Sequence, residues 1–163
     1  AEAIREHTLG LARGKTDFMC LSILKNGIGS GMFLNGRLHT GARGMAGEYG
    51  GSLKLWPDTA SIRGMESFIR VSANVAYMAH NLLDLQRIYV CCETSGYSGL
   101  IMKEMARAFQ GCAGKPPVDI SEPGPYGVCL GAAVLARERF LGNVEFQCDQ
   151  DIWKRISQRE QTY

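Results

Sequence analysis

The chain has 163 residues, of which 45% are hydrophobic and 21% are charged, with 18 Lys and Arg against 16 Asp and Glu. This composition excludes intrinsic disorder, collagen and coiled coil, and the net charge of +2 does not suit an electrostatic nucleic-acid binder. No apolar run approaches the ~18 residues of a membrane span. The polar start AEAIREHTLG is not a secretory signal. We therefore expect a cytoplasmic globular domain with no membrane contact.

The first sixty residues predict a helix, a small antiparallel sheet and a long loop. The expected elements are a helix over 1–13, a buried strand over 17–24, a tight glycine-rich turn over 25–31, strands at 32–34 and 37–39, and a loop over 41–60. Asn35-Gly36 is a strong hairpin signal between the last two strands. Loops as long as 41–60 commonly carry function.

The remaining residues predict alternating helices and strands. The expected elements are a helix face over 71–83, a strand over 87–92, an amphipathic helix over 97–109, a strand over 118–120 and a helix over 126–141. Met78, Leu82, Met102 and Met105 are expected in the core. The order predicts a mixed α/β sheet, three antiparallel strands followed by β-α-β with a right-handed crossover. We expect one domain over 1–141 and a polar, helical tail over 142–163.

The six cysteines indicate reduced thiols rather than a disulfide framework. They include no C-x-x-C pair, and Cys91 and Cys92 are adjacent, which is poor geometry for a disulfide. The three histidines lie far from any cysteine pair, whereas zinc sites usually have ligands at short paired spacings. The spacing therefore predicts an intracellular protein without a metal site.

The segment KNGIGSG places glycines at 27, 29 and 31. Backbone N–H groups of such glycines can face an anion, so Gly27, Gly29 and Gly31 are candidates for a phosphate or anion loop. The segment lacks the G-K-[ST] of a Walker motif. A tight hairpin turn without a ligand explains the same spacing.

A longer window resembles a known family. The run GIGSGMFLNGRLHTGARGMAGEYG over 27–50 resembles the signature of the ROK family of bacterial repressors and sugar kinases. AEAIREHTLGLARGKTDF, RIYVCCETSG and YGVCLGAAVLA are similar to further family segments. The resemblance implies the C-terminal lobe of a two-lobed, ribonuclease H-like fold of the actin-like ATPase superfamily. It also implies that the N-terminal lobe and the catalytic aspartate of a D-x-N motif would lie before Ala1, so we expect no complete kinase in this chain.

The resemblance implies sugar contacts for Glu48 and Glu66, and Arg43 is a further candidate from its position in the loop. Glu48 matches a family glutamate that contacts sugar hydroxyls, and a carboxylate can accept two hydrogen bonds from a diol. Arg43 lies in the same loop, where it either reaches a ligand, pairs with Glu48 or is a surface residue. Glu66 matches a further family glutamate. The family's zinc-binding histidine falls on Gly51 here.

Where this chain departs from the family pattern, it lacks the residues that would bind a cofactor. The family's zinc segment falls near 56–66, where this chain has no cysteine, so we expect no zinc. Where the family has glycines beside the adenosine, this chain has Cys91-Cys92-Glu93-Thr94. These side chains would crowd the nucleotide and Glu93 would repel phosphate, so ATP is not expected either.

Three functional hypotheses follow from the resemblance. The first is the sugar-sensing and dimerisation lobe of a ROK-type transcriptional repressor, which would bind a sugar or sugar phosphate, form a homodimer and contact DNA only through a domain outside this chain. The second is the C-terminal fragment of a zinc-free, ATP-dependent sugar kinase. The third is a degenerate lobe that dimerises and binds no ligand.

Overall fold

A computed structural model describes residues 1–24, 27–49, 62–94, 96–122 and 127–141. The elements are α1 (Glu2–Leu9), β1 (Phe18–Leu24), β2 (Gly27–Leu34), β3 (Arg37–His39), α2 (Ile62–Leu83), β4 (Arg87–Cys92), α3 (Ser98–Ala108), β5 (Val118–Ser121) and α4 (Gly127–Leu141). The strands form one sheet in the order β3-β2-β1-β4-β5. β2 is antiparallel to β1 and β3, and β4 is parallel to β1 and β5. The predicted mixed α/β sheet is confirmed.

The sheet has a hydrophobic core on each face, and β1 contributes to both. Met19, Leu21 and Ile23 belong to the core beneath α2 and α3, whereas Phe18 and Cys20 belong to the core beneath α1 and α4. Alternate side chains of a strand point to opposite faces. The unbroken apolar run of β1 is therefore the pattern of a central strand covered on both sides.

The hairpin between β2 and β3 has the predicted turn. Asn35 and Gly36 both have positive φ, 53° and 72°, as a two-residue type I′ turn requires. The Asn35 N–H donates to the Asp17 carboxylate at 2.8 Å, and the Gly36 N–H donates to the Thr16 carbonyl at 2.9 Å. These bonds fix the register of β2 against β1.

The glycine-rich turn is shorter than the sequence predicts, because β2 already begins at Gly27. Gly27, Gly29 and Gly31 lie within the strand, opposite Leu24, Ser22 and Cys20 of β1. Cross-strand hydrogen bonds hold these glycines extended despite their conformational freedom. Residues 25 and 26 lie outside the described part of the chain.

Three side chains predicted in the core are exposed. Met78 is 61%, Leu82 79% and Met102 41% exposed, whereas Met105 is buried as predicted. The buried face of α2 is instead formed by Met65, Phe68, Ile69, Ser72, Ala73, Val75, Ala76 and Ala79. This helical stripe runs beside Met78 and Leu82, and the apolar character of those two residues made the predicted face too wide.

The helices of the described residues include none that is both long and apolar enough to cross a membrane. The predicted tail at 142–163 and most of the loop after Tyr49 lie outside the described residues. The domain boundary at 141 stays a prediction.

Candidate functional site

A cavity of about 210 Å³ lies where the start of α1 meets β1 and β2. It is lined by Ala1, Glu2, Ala3, Cys20, Ser22, Leu24, Gly29, Ser30, Gly31, Glu48 and Val128. The cavity is smaller than the ~300–1,000 Å³ typical of sites for drug-sized ligands. Its size therefore suits a small polar molecule such as a single sugar ring.

Two glycines of β2 shape this cavity in different ways. A Cβ added to Gly29 would meet no atom within 4 Å, so the missing side chain leaves open space. A Cβ added to Gly31 would lie 2.6 Å from the Ala3 Cβ. Gly29 therefore leaves room for a ligand, whereas Gly31 allows α1 to approach the sheet.

The loop after β3 is fastened to β2 and brings Glu48 to the cavity. The Ser30 N–H donates to the Gly47 carbonyl at 3.2 Å, and the Ala46 N–H donates to the Thr40 carbonyl at 3.1 Å. Gly47 has a φ of 86°, and a Cβ there would lie 2.6 Å from the Ser30 Oγ. Only glycine combines this backbone conformation with so close an approach. The Glu48 side chain itself is exposed.

The charged side chains among the described lining residues are both acidic. Glu2 and Glu48 line the same cavity, and the Ser22 hydroxyl donates a hydrogen bond to the Glu2 carboxylate. Carboxylates accept hydrogen bonds from hydroxyl groups but repel anions. This lining suits a neutral polyol better than a phosphate.

The predicted site residues are brought together only in part. Glu48, Gly29 and Gly31 share the cavity, whereas Arg43 and Glu66 are exposed and do not line it. Arg43 lies in the turns at 41–44, and Glu66 lies on α2. The sugar-contact roles of Arg43, Glu48 and Glu66 stay predictions, as does the anion role of the glycines.

Glu2 and Ser22 are two polar lining residues that sequence reasoning missed. They are twenty positions apart, and they meet because α1 packs against the first two strands. A glutamate in the first turn of a helix is normally explained by the helix dipole. The sequence therefore held no signal that connects Glu2 to a site.

A buried thiol pair lies at the cavity, where Cys20 is a lining residue and Cys91 is not. The Sγ atoms of Cys20 and Cys91 are 3.7 Å apart, and the two residues are 1% and 3% exposed. The hydrogen bond with Cys91 and the burial of the thiol raise the pKa of Cys20 well above its ordinary value. Cys20 is therefore a protonated thiol at neutral pH.

A second cavity, of about 370 Å³, is almost entirely apolar. It is lined by Met32, His39, Ala46, Tyr49, Val75, Met78, Ala79, Leu82 and Leu83. A sugar needs several convergent hydrogen-bonding groups. This lining does not supply them, so the smaller, polar cavity is the better candidate site.

Comparison with known proteins confirms the resemblance to the ROK family. The model of the ROK family matches residues 1–55, whereas a search of curated proteins finds no match. A ROK hexokinase from Thermus thermophilus superimposes with a TM-score of 0.60 at 21% identity, over 82% of this chain and 63% of that protein. A ROK family glucokinase from Streptomyces griseus, solved with glucose and AMPPNP, gives 0.59 at 16% identity, over 84% and 65%.

A repressor has the same fold. A ROK family transcriptional regulator, a homologue of the Escherichia coli MLC protein, superimposes with a TM-score of 0.50 at 13% identity, over 83% of this chain and 49% of that protein. The chain thus spans less than two thirds of each of these proteins. The comparisons confirm the actin-like ATPase, ribonuclease H-like fold, and they include both kinases and a repressor.

Proposed function

We propose that this chain, whose first 55 residues match the ROK family, is the sugar-binding lobe of a ROK-type protein. The observation that carries the proposal is the placement of Glu48 on a small cavity whose other charged lining residue is Glu2. Glu48 accepts hydrogen bonds from sugar hydroxyls, and the open space beside Gly29 receives the ring. Because both carboxylates repel anions, the ligand is an uncharged hexose rather than a sugar phosphate.

The finer proposal is that the lobe is the sensor of a transcriptional repressor. The end of β4 supports it, because Cys91 and Cys92 are strand residues there and the Glu93 N–H donates to the Ile23 carbonyl at 3.0 Å. Side chains thus stand where the resemblance places the glycines beside adenosine. Sugar binding would bias two arrangements of a homodimer by its different affinity for each, and DNA would be bound by another domain.

The alternative is a sugar kinase of which this chain is the C-terminal part. The similarity in fold to a hexokinase and a glucokinase supports this alternative. The zinc of the family does not fit either version, because residues 56–66 contain no cysteine and residue 51 is glycine. Neither version therefore assigns a role to metal in that segment.

The test is thermal unfolding of the chain with glucose, mannose, their N-acetylamino derivatives, glucose 6-phosphate and ATP–Mg²⁺. A ligand at about 100 times its Kd stabilises by about 2.7 kcal/mol, which raises the Tm by several degrees in a domain of this size. We expect a shift with a neutral hexose. An additional shift of the Tm with ATP–Mg²⁺ favours the kinase. If no sugar shifts the Tm, the sugar site is refuted.

A matched pair of variants locates the site. Glu48→Gln keeps the size of the side chain but removes the charge that hydroxyl donors prefer, so sugar affinity falls. Glu122→Gln is the same change at an exposed residue directly after β5, outside the cavity lining. We expect Glu122→Gln to leave the affinity unchanged, and an equal loss in both variants would contradict the placement of the sugar.

A further inference from the structure

Three potential metal ligands meet at the inner wall of the cavity. A carboxylate oxygen of Glu2 and the Sγ atoms of Cys20 and Cys91 all lie within 4.8 Å of one another. They come from three separate elements, α1, β1 and β4. This origin explains why the cysteine spacing gave no metal signal, since short paired spacings reveal only ligands from neighbouring positions.

The distance between the two sulfurs matches a shared metal ion. Zinc–thiolate bonds of ~2.3 Å at a tetrahedral angle place two sulfurs about 3.8 Å apart, and the observed Sγ–Sγ distance is 3.7 Å. In the register of β1 and β4, Cys20 lies opposite Tyr89 and Ser22 lies opposite Cys91. The thiols are therefore diagonal neighbours on one face of the sheet, and both already point to the same place.

The surroundings of the cluster orient the ligands and balance the charge. The Ser22 hydroxyl donates to Glu2, as hydrogen bonds from outer residues commonly fix metal ligands. The positive charge of Arg5 is paired with Glu6. A divalent cation that binds both sulfurs displaces two thiol protons. The net charge of the cluster therefore stays the same, and burial adds no charge penalty to the binding of the ion.

Two of the three ligands face the cavity. Glu2 and Cys20 line it, whereas Cys91 is buried and is not a lining residue. A tetrahedral ion held by three protein atoms keeps its fourth position for water or a ligand, as in catalytic zinc sites. Because Glu2 and Cys20 both line the cavity, we expect that position to face it.

We propose that Glu2, Cys20 and Cys91 bind a thiophilic divalent cation of the zinc class, with its open coordination position directed into the cavity. Two sulfur ligands select zinc-like ions over Mg²⁺ and Ca²⁺, which require oxygen ligands. The site is separate from residues 51 and 56–66, where the family's zinc segment falls. It does not depend on the sugar-binding proposal, because its ligands hold the ion without a sugar.

The experiment is a Co²⁺ and Zn²⁺ titration of the reduced, chelator-treated chain. We expect one ion per chain by native mass spectrometry, a thiolate-to-Co²⁺ charge-transfer band that Zn²⁺ abolishes, and release of two protons per ion. Sugar is absent from the assay, so the result is independent of the first proposal. A wild-type chain without the band overturns the metal site.

Matched serine variants identify the ligands. Cys20→Ser and Cys91→Ser should each abolish the charge-transfer band, whereas Cys92→Ser, at the next position of the same strand and outside the cluster, should retain it. A band that survives in both ligand variants, or is lost in Cys92→Ser, overturns the assignment.

A conservative change at Glu2 covers the case in which the serine variants fail to fold. Circular dichroism identifies that case, and Glu2→Gln then decides, because this residue is only half-buried. The loss of a charged oxygen ligand should raise the Kd for Zn²⁺ at least tenfold. An unchanged Kd overturns the proposal.

Discussion

The contrast between Gly29 and Gly31 can be tested with one substitution made at two positions of the same strand. A Cβ at Gly31 would lie 2.6 Å from the Ala3 Cβ, where ordinary contact begins at 3.4 Å, so α1 must move by several tenths of an ångström. Overpacking of this kind costs about 1–3 kcal/mol. Gly31→Ala should therefore lower the free energy of unfolding by this amount, and the Tm by roughly 2–4 °C per kcal/mol.

Gly29→Ala is the matched control for stability. A Cβ there meets nothing within 4 Å, and neither glycine has a φ in the left-handed region. Alanine restricts the unfolded chain more than glycine, so this change should be neutral or stabilising by up to about 1 kcal/mol. If Gly29 faces the sugar, the same change should weaken sugar binding.

The assay is urea unfolding followed by circular dichroism, with Ala3→Gly as the compensating change. Ala3→Gly alone costs about 0.5–1 kcal/mol in a helix. Combined with Gly31→Ala it removes the clash, so the double variant should be more stable than the sum of the single effects predicts. Equal unfolding free energies for Gly31→Ala and Gly29→Ala, or strict additivity with Ala3→Gly, would refute the close approach of α1 to β2.

Two further predictions concern pH. Hydrogen bonds from the Thr16 hydroxyl and the Asn35 N–H lower the pKa of Asp17 below its ordinary 3.8, so the free energy of unfolding decreases as the pH falls from that value through the folded pKa. Asp17→Asn should make the free energy of unfolding less dependent on acid pH, as measured by urea titrations. An unchanged pH dependence in this variant would contradict the role of Asp17. Burial raises the pKa of Tyr89 above 10.0, so the free energy of unfolding decreases as the pH rises beyond 10. Tyr89→Phe should abolish this decrease and should cost about 1 kcal/mol at neutral pH, because it leaves the Leu11 carbonyl unpaired. A decrease at alkaline pH that persists in the variant would show that another group titrates.

Local sequence signals predicted the elements whose cause is local. Residues 37–39 and 87–92 were predicted with the bounds that the structure has, because Asn35-Gly36 fixes one strand and an apolar run fixes the other. The start of β2 was misplaced because its glycines are typical of a turn. The pairing with β1 that holds them extended is a tertiary contact, which the local sequence does not show. Met78 and Leu82 were misplaced because periodicity does not show where the edge of a packed face lies.

The candidate site was predictable only where a motif carried it. Glu48 was found through the resemblance, and the structure places it on the cavity with Gly29. Arg43 was a candidate because it lies in the same loop as Glu48, and Glu66 because it matches a family glutamate. Neither residue lines the cavity. Glu2 and Cys91 gave no signal, because only the packing of α1 and β4 against β1 brings them together.

The lengths of the outer strands limit how this sheet can be extended by another chain. β3 has three residues and β5 has four, so each edge offers few unpaired backbone groups. Arg37 and His39 are exposed along one edge, and an ion pair of 3.2 Å between Arg87 and Asp119 lies near the other. Short edge strands that carry charged side chains are poor templates for strand addition. The sheet is thereby protected against edge-to-edge aggregation.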